Sequence, residues 1–161
     1  MNIRTFPSIV ATVLLLVLGS GAAMAQPLQD FIATAESAFG GRAFVAERYN
    51  RYVEVQLLSG NQLIEAEYDR ITGQLVDSDA FGSPRRVQRV TARLNRATLS
   101  LGDAIDAAQR AVGSGEVLEA ELRVSGRNRG RRFIVEIRTN AGVYDVIVAS
   151  ATGRIIRVLR D

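Results

Sequence analysis

The 161-residue sequence predicts an α+β protein built of two repeats, each a helix packed on a small antiparallel β-sheet of about four strands. Three observations lead to this fold class. An apolar spacing typical of a helix occurs twice, segments with alternating apolar and polar residues follow each occurrence, and a short apolar leader precedes both. A helix buries its apolar side only against another element, so each helix is expected to cover the strands that follow it.

The first 25 residues have the organisation of a secretory signal peptide. Arg4 is the only charge before an apolar run at residues 9–18, and Ala23-Met24-Ala25 provides the small residues of a cleavage site. The run is shorter than the roughly 20 residues that span a bilayer. We therefore expect cleavage after Ala25 and a periplasmic or secreted protein; the alternative is a retained membrane anchor.

Two helices with identical apolar spacing are predicted to begin at Leu28 and Leu101. The residues expected to face the core are Leu28, Phe31, Ile32, Ala35 and Phe39 in the first copy, and Leu101, Ala104, Ile105, Ala108 and Val112 in the second. Glycines at 40–41, and at 113 and 115, end the helices, since glycine readily adopts the left-handed conformation of a helix C-terminus. Ser100 with Asp103 resembles a capping box.

After each helix, apolar and polar residues alternate with a period of two, which is typical of strands with one buried face. The residues predicted to face inward are Val53, Val55, Leu57, Ile64, Ala66 and Tyr68 in the first copy, and Leu118, Ala120, Leu122, Val124, Phe133, Val135 and Ile137 in the second. The repeats are predicted to span residues 26–79 and 99–161, with a basic linker at 80–98. Units of this size are marginal alone, so we expect them to pack together.

Each copy contains a turn before its last strand that carries a short motif. It reads D-x-x-T-G at Asp69, Thr72 and Gly73, and it recurs as Thr152 and Gly153 with alanine in place of the aspartate. We interpret these residues as a structural turn. In the order of its elements and in this motif, the sequence resembles the PepSY domain, the second copy more closely than the first.

The resemblance to the PepSY domain implies a binding function rather than catalysis, often proposed as the inhibition or regulation of secreted peptidases. The chain ends at Asp161 without a peptidase domain. We therefore expect the partner to be a separate exported or envelope protein, plausibly a peptidase that is modulated or inhibited in trans. The alternative is an envelope sensor or accessory subunit that binds a small ligand, a kinase ectodomain or the membrane surface.

The composition argues against most catalytic centres. The chain has no His, Cys or Trp, and all 20 basic residues are Arg. Without His, Cys and Lys there is no imidazole base, thiol nucleophile, zinc–thiolate site or Schiff-base lysine. Only carboxylates remain for acid–base chemistry or a metal, at Glu65, Glu67 and Asp69. We interpret them as an exposed strand face, because a hard cation needs about six or more oxygens in a shaped site. The sequence thus predicts a protein that is not an enzyme and needs no cofactor or metal.

Charge is distributed unevenly along the chain. Residues 26–79 carry a net charge of −5, residues 80–100 carry +5 and residues 101–161 carry +2. This balance, together with export, argues against nucleic-acid binding. Two arginine clusters are candidates for partner binding. They are Arg85, Arg89 and Arg93 in the linker, and Arg127, Arg129, Arg131 and Arg132 in a glycine-rich segment.

Each arginine cluster has two interpretations. The linker cluster has near-helical spacing and would bind an anionic membrane or an acidic partner, or would instead lie against the acidic first copy. The second cluster forms a recognition loop whose guanidinium groups suit carboxylates and phosphates, or is simply a solvated loop.

Overall fold

The computed structural model describes residues 26–124 and 130–161, so the predicted signal peptide and the candidate residues Arg127 and Arg129 lie outside the described residues. Three helices and eight strands are described. In chain order they are α1 (Leu28–Phe39), β1 (Arg42–Arg48), β2 (Tyr52–Ser59), β3 (Gln62–Asp69), β4 (Leu75–Phe81), α2 (Pro84–Leu94), α3 (Leu101–Val112), β5 (Glu116–Val124), β6 (Arg131–Thr139), β7 (Gly142–Ala149) and β8 (Ile155–Arg160).

All eight strands belong to one antiparallel sheet, in the order β4-β3-β2-β1-β5-β6-β7-β8. The predicted fold class is therefore wrong: the chain forms one eight-stranded sheet with three helices, not two helix-on-sheet repeats. The two halves are joined where β1 pairs with β5, with Ala46 opposite Ala120. Alternation along a strand shows which side is buried but not which strand lies beside it. Pairing β1 with β5 removes two exposed strand edges, which would otherwise be open to aggregation.

The helices α1 and α3 occupy the residues that the apolar spacing predicted. Leu28, Phe31, Ile32 and Ala35 are buried in α1, and Leu101, Ala104, Ile105, Ala107 and Ala108 are buried in α3. The left-handed residue Gly40 ends α1. Both bonds of the capping box at Ser100 and Asp103 are present. Phe39 and Val112 are only partly buried, because each lies in the last turn.

The helices α1 and α3 cover the same face of the sheet, called here the helix face. It is lined by buried residues of both halves, among them Val53, Val55, Ala120, Val135 and Val146, and these form a single core. Two inward-facing predictions are wrong: Ile64 is only partly buried, and a β-bulge between Val117 and Glu119 makes Val117 the buried residue in place of Leu118. The side chain of Val124 is not described.

The helix α2 lies on the opposite face of the sheet, called here the open face. Its residues Val90 and Leu94 are buried against the sheet. Leu63 is buried on this face as well, although the alternation had placed it on the polar side of β3. The Ser83 side chain caps its first turn. At the other end of α2, the Arg42 guanidinium donates hydrogen bonds to the carbonyl oxygens of Leu94, Ala97 and Leu99, at 3.0–3.2 Å. No described helix has the length and apolar character needed to cross a membrane.

The two halves correspond closely in local structure. Each of the paired central strands has a β-bulge, between Ala43 and Val45 in β1 and between Val117 and Glu119 in β5. A glycine precedes each of these strands, and a Cβ at Gly41 or Gly115 would lie 2.6 Å from a carbonyl oxygen of the neighbouring strand. Positions in β1 and β5 can therefore be compared one with another on the same face of the sheet.

Candidate binding surface

A continuous row of carboxylates crosses the open face at right angles to the strands. Each member lies directly opposite the next in the strand register, from β4 through β3, β2, β1, β5 and β6 to β7. The seven residues of this acidic row are Asp77, Glu67, Glu54, Glu47, Glu119, Glu136 and Asp145. Because neighbouring strands lie about 4.8 Å apart, the row is roughly 30 Å long.

The acidic row is electrostatically unfavourable for the isolated protein. Burial and the nearby carboxylates of Glu65 and Glu47 raise the pKa of Glu54, against the hydrogen bond it accepts from Gln56. Burial, and then Glu47, raise the pKa of Glu119. Burial, and then Asp145, raise the pKa of Glu136. Like charges directly opposite one another destabilise a sheet, so the row costs the folded protein stability.

Few cations offset the row within the described residues. Arg123 pairs with Glu121 and lies 3.9 Å from Glu119. Arg86 and Arg89 of α2 face Glu47 and Glu119 across a cleft of about 410 Å³. Arginines of α2 form none of the described ion pairs. Arg93 lines the same cleft, so the charges of Glu47 and Glu119 are partly offset there. The other carboxylates of the row form none of the described ion pairs and are left to solvent or to a partner.

The structure brings part of the two predicted arginine clusters together. The pKa of Arg131 is lowered by desolvation and then by the positive charges of Arg96 and Arg93, so β6 and the end of α2 are close. Arg132 lies opposite Arg123 in the β5–β6 pair. Arg85 and Arg89 are exposed on α2. The arginines of α2 and Arg132 of β6 therefore border the acidic row on one side of the open face, whereas Arg131 alternates with Arg132 and lies on the side of the helix face.

The motif residues form a compact turn between β3 and β4. The Asp69 carboxylate accepts hydrogen bonds from the amides of Ile71 and Thr72 and from the Thr72 hydroxyl, at 2.7–3.0 Å, and these bonds lower its pKa. Gly73 has φ +70° and its amide donates to the Asp69 carbonyl. The turn at Thr152 and Gly153 repeats the backbone bonds, with Gly153 at φ +71°. The Asp69 carboxylate is thus engaged in hydrogen bonds within its own turn.

A tight carboxylate cluster forms part of the acidic surface. Carboxylate oxygens of Glu54, Glu65 and Glu67 lie within 4.8 Å of one another, and the Gln56 amide donates to Glu54 at 2.7 Å and to Glu65 at 3.0 Å. The set differs from the sequence candidate in holding Glu54 in place of Asp69. A hard cation takes about six or more oxygens, so we treat these residues as members of the acidic surface.

Sequence reasoning identified the arginine clusters but missed the acidic row. Apart from Glu47, each glutamate of the row occupies the polar position of an alternating segment, which is visible in the sequence. Their alignment into one line depends on the register of strands far apart in the chain. The net charge of −5 over residues 26–79 is the only sign of an acidic surface that the sequence analysis noted.

No protein-family model and no curated protein matches the chain. Similar solved structures include a "putative lipoprotein" from Clostridium difficile 630, 18% identical, covering 84% of this chain and 93% of that chain, with a TM-score of 0.49. They also include a BLIP-like protein from Bacteroides fragilis NCTC 9343, which is 11% identical. This match covers 85% of this chain and 88% of that chain, with a TM-score of 0.32.

Proposed function

We propose that this chain is an exported, non-catalytic binding protein that docks a basic surface of another exported or envelope protein on its open sheet face. The acidic row carries the proposal. It is an arrangement that lowers the stability of the free protein and that a positively charged partner would neutralise. Export rests on the leader at residues 1–25, with its apolar run and Ala23-Met24-Ala25.

The dimensions of the acidic row favour a protein partner over a small ligand. A standard protein–protein interface covers about 800 Å² on each side, which corresponds to a patch roughly 30 Å across. The row has about this length. The bordering arginines would contact acidic groups of the partner at the rim, where charges set association rate and specificity. They are Arg85, Arg89, Arg93 and Arg132.

The resemblance to the PepSY domain suggests a peptidase as the partner, regulated or inhibited in trans. The partner's catalytic centre would then be covered or displaced when its basic surface docks. The alternative functions, a sensor or an accessory subunit at the envelope, would use the same face for a different protein.

Photo-crosslinking in the producing cell tests the proposal. A photoreactive residue at Ile134, on the open face beside the row, should crosslink a protein with a basic surface. The same residue at Ala33, exposed on α1 over the helix face, is the matched control and should capture nothing specific. Equal capture from both positions, or capture from neither, would overturn the proposal.

The captured partner then decides between regulation of a peptidase and the alternatives. Purified protein beginning at Gln26 is added to the partner at increasing ratios while peptide hydrolysis is measured. A change in hydrolysis that saturates at a fixed stoichiometry supports the peptidase proposal. Unchanged hydrolysis rejects it and leaves docking on the open face as a sensor or accessory function.

A further inference from the structure

A cavity whose lining includes charged and amide side chains lies on the helix face, near the start of α1 and the C-terminal end of β1. Its volume is about 460 Å³, within the range of small-molecule sites. It is separate from the acidic row, which lies on the open face. The residues of the cavity used below are Gln29, Arg48, Arg70, Gln109 and Glu116.

Arg48 is the unusual residue of this cavity. Its side chain is only 4% exposed. Its Nη2 donates to the Gln26 carbonyl at 2.7 Å and its Nε to the Val117 carbonyl at 3.3 Å. Its Nη1 is buried and has no hydrogen-bond partner among the described residues. A buried donor without a partner is costly, and more so on a charged group.

The corresponding position in the other half of the protein is apolar. Arg48 and Leu122 each lie two residues beyond the paired alanines Ala46 and Ala120, on the same face of the sheet. Leu122 is 1% exposed and belongs to the core. The fold therefore accepts a leucine at such a position, and packing alone does not require the arginine of β1.

The cavity carries excess positive charge. A single carboxylate, Glu116, serves three guanidinium groups: Arg70 at 2.8 Å, Arg138 at 3.3 Å and Arg48 at 3.7 Å. Desolvation and then the charge of Arg70 lower the pKa of Arg48, while Glu116 opposes this. Arginine stays protonated even so. An anion in the cavity would balance the charge that Glu116 leaves uncompensated.

A second unpartnered atom belongs to another side chain that lines the same cavity. The Gln29 Oε1 is buried and accepts no hydrogen bond from any described residue. The Gln29 Nε2 donates to the Gln109 Oε1 at 2.9 Å and to the Asp106 carboxylate at 3.3 Å. Because a carboxylate only accepts hydrogen bonds, the amide nitrogen of Gln29 must point toward Asp106, and this fixes the orientation of the amide. Two side chains that line the cavity thus each carry an unsatisfied polar atom, a donor on Arg48 and an acceptor on Gln29.

We propose that this cavity binds a small organic acid, whose carboxylate is held by Arg48 and whose neighbouring hydroxyl or amino group donates to Gln29. The Nη1 of Arg48 supplies the charge-assisted bond, Arg70 adds a second positive charge at the carboxylate, and Gln29 selects ligands that carry a donor. The site is independent of partner docking on the open face, so either can fail without the other.

The experiment is a titration of the protein beginning at Gln26, followed by NMR of the arginine Nε–H signals. Lactate, a carboxylate with an adjacent hydroxyl, is expected to shift the Arg48 signal in a saturable way with a dissociation constant in the millimolar range or below. Lactamide has the same shape without the charge and is expected to leave the signal unchanged. Inorganic phosphate is expected to bind more weakly than lactate.

Three variants establish which residues hold the acid. Arg48→Lys keeps the charge but loses the planar fork, and is expected to weaken lactate binding about tenfold or more. Gln29→Glu places a carboxylate in the wall of the cavity and is expected to abolish binding of an anion, which keeps the test valid if Arg48→Lys fails to fold. The control Arg157→Gln removes an exposed arginine of β8 and is expected to change nothing.

Several results would overturn the proposal. They are the absence of a saturable shift at Arg48, equal shifts with lactate and lactamide, tighter binding of phosphate than of lactate, and loss of binding in Arg157→Gln comparable to that in the cavity variants.

Discussion

Replacement of Ile105 by alanine tests whether the two halves of the protein unfold as one unit. Ile105 lies in α3 of the second half and is 0% exposed. The change removes three carbon groups at about 0.8 kcal/mol each, and the cavity left behind adds to this. We expect a loss of about 3 kcal/mol in the free energy of unfolding, which corresponds to a decrease in Tm of about 10 °C.

The assay is native-state hydrogen exchange, read separately on β2 of the first half and β7 of the second. Because β1 pairs with β5 and both halves share one core, the protection of β2 and β7 should decrease by the same amount. The control Ile71→Ala removes a side chain that is 78% exposed and should change stability by less than about 0.5 kcal/mol. Loss of protection in β7 alone would refute a single cooperative sheet.

Three further predictions concern local features of the structure. Thermal melts across pH should show that Glu54→Gln raises Tm at about pH 7 and has little effect near pH 4. The reason is that the pKa of Glu54 is raised in the folded state. Its contribution to stability is therefore present below the ordinary pKa of glutamate and is lost as pH rises through the folded-state pKa. In urea titrations, Gly102→Ala within α3 should stabilise the protein by about 1 kcal/mol. Gly115→Ala should destabilise it, because the new Cβ would lie 2.6 Å from the Arg138 carbonyl oxygen. The opposite signs would contradict the placement of Gly102 in a helix and of Gly115 against β6. Ser100→Ala should cost about 1 kcal/mol through loss of the capping box, and an unchanged urea midpoint would show that the cap is dispensable.

The helices could be predicted from the sequence because their signals are local. The spacing of apolar residues from Leu28 and from Leu101 gave both spans, since one side of each helix packs on the sheet. Ser100 marked the start of α3, because a capping box needs only four consecutive residues. Interactions between residues a few positions apart can be recognised in the sequence whatever the tertiary arrangement.

The arrangement of the strands could not be predicted in the same way. The strand β1 was not identified, because the bulge between Ala43 and Val45 interrupts its alternation. Its pairing with β5 joins segments more than 70 residues apart, and nothing local specifies that pairing. Leu63 was assigned to the polar side of β3 because α2, which covers it, crosses the face that alternation marks as exposed.

The candidate sites depend on these long-range pairings. Glu47 and Glu119 become neighbours only through the β1–β5 register, and so the acidic row has no counterpart in any contiguous segment. Arg48 is one of 20 basic residues in the sequence, and only its burial and its unpartnered Nη1 distinguish it. The arginine clusters were visible in the sequence, but the position of α2 and Arg132 beside the row came from the structure.

The affinity of the crosslinked partner for Glu54→Gln tests the central claim most directly. Removal of one charge from the acidic row should weaken binding about three- to tenfold and reduce its dependence on salt, even though the same variant melts at a higher temperature. The control Asp30→Asn removes an exposed charge on α1 and should bind as the unaltered protein does. A Glu54→Gln variant with unchanged affinity and unchanged salt dependence would contradict the proposal that the open face binds a basic partner.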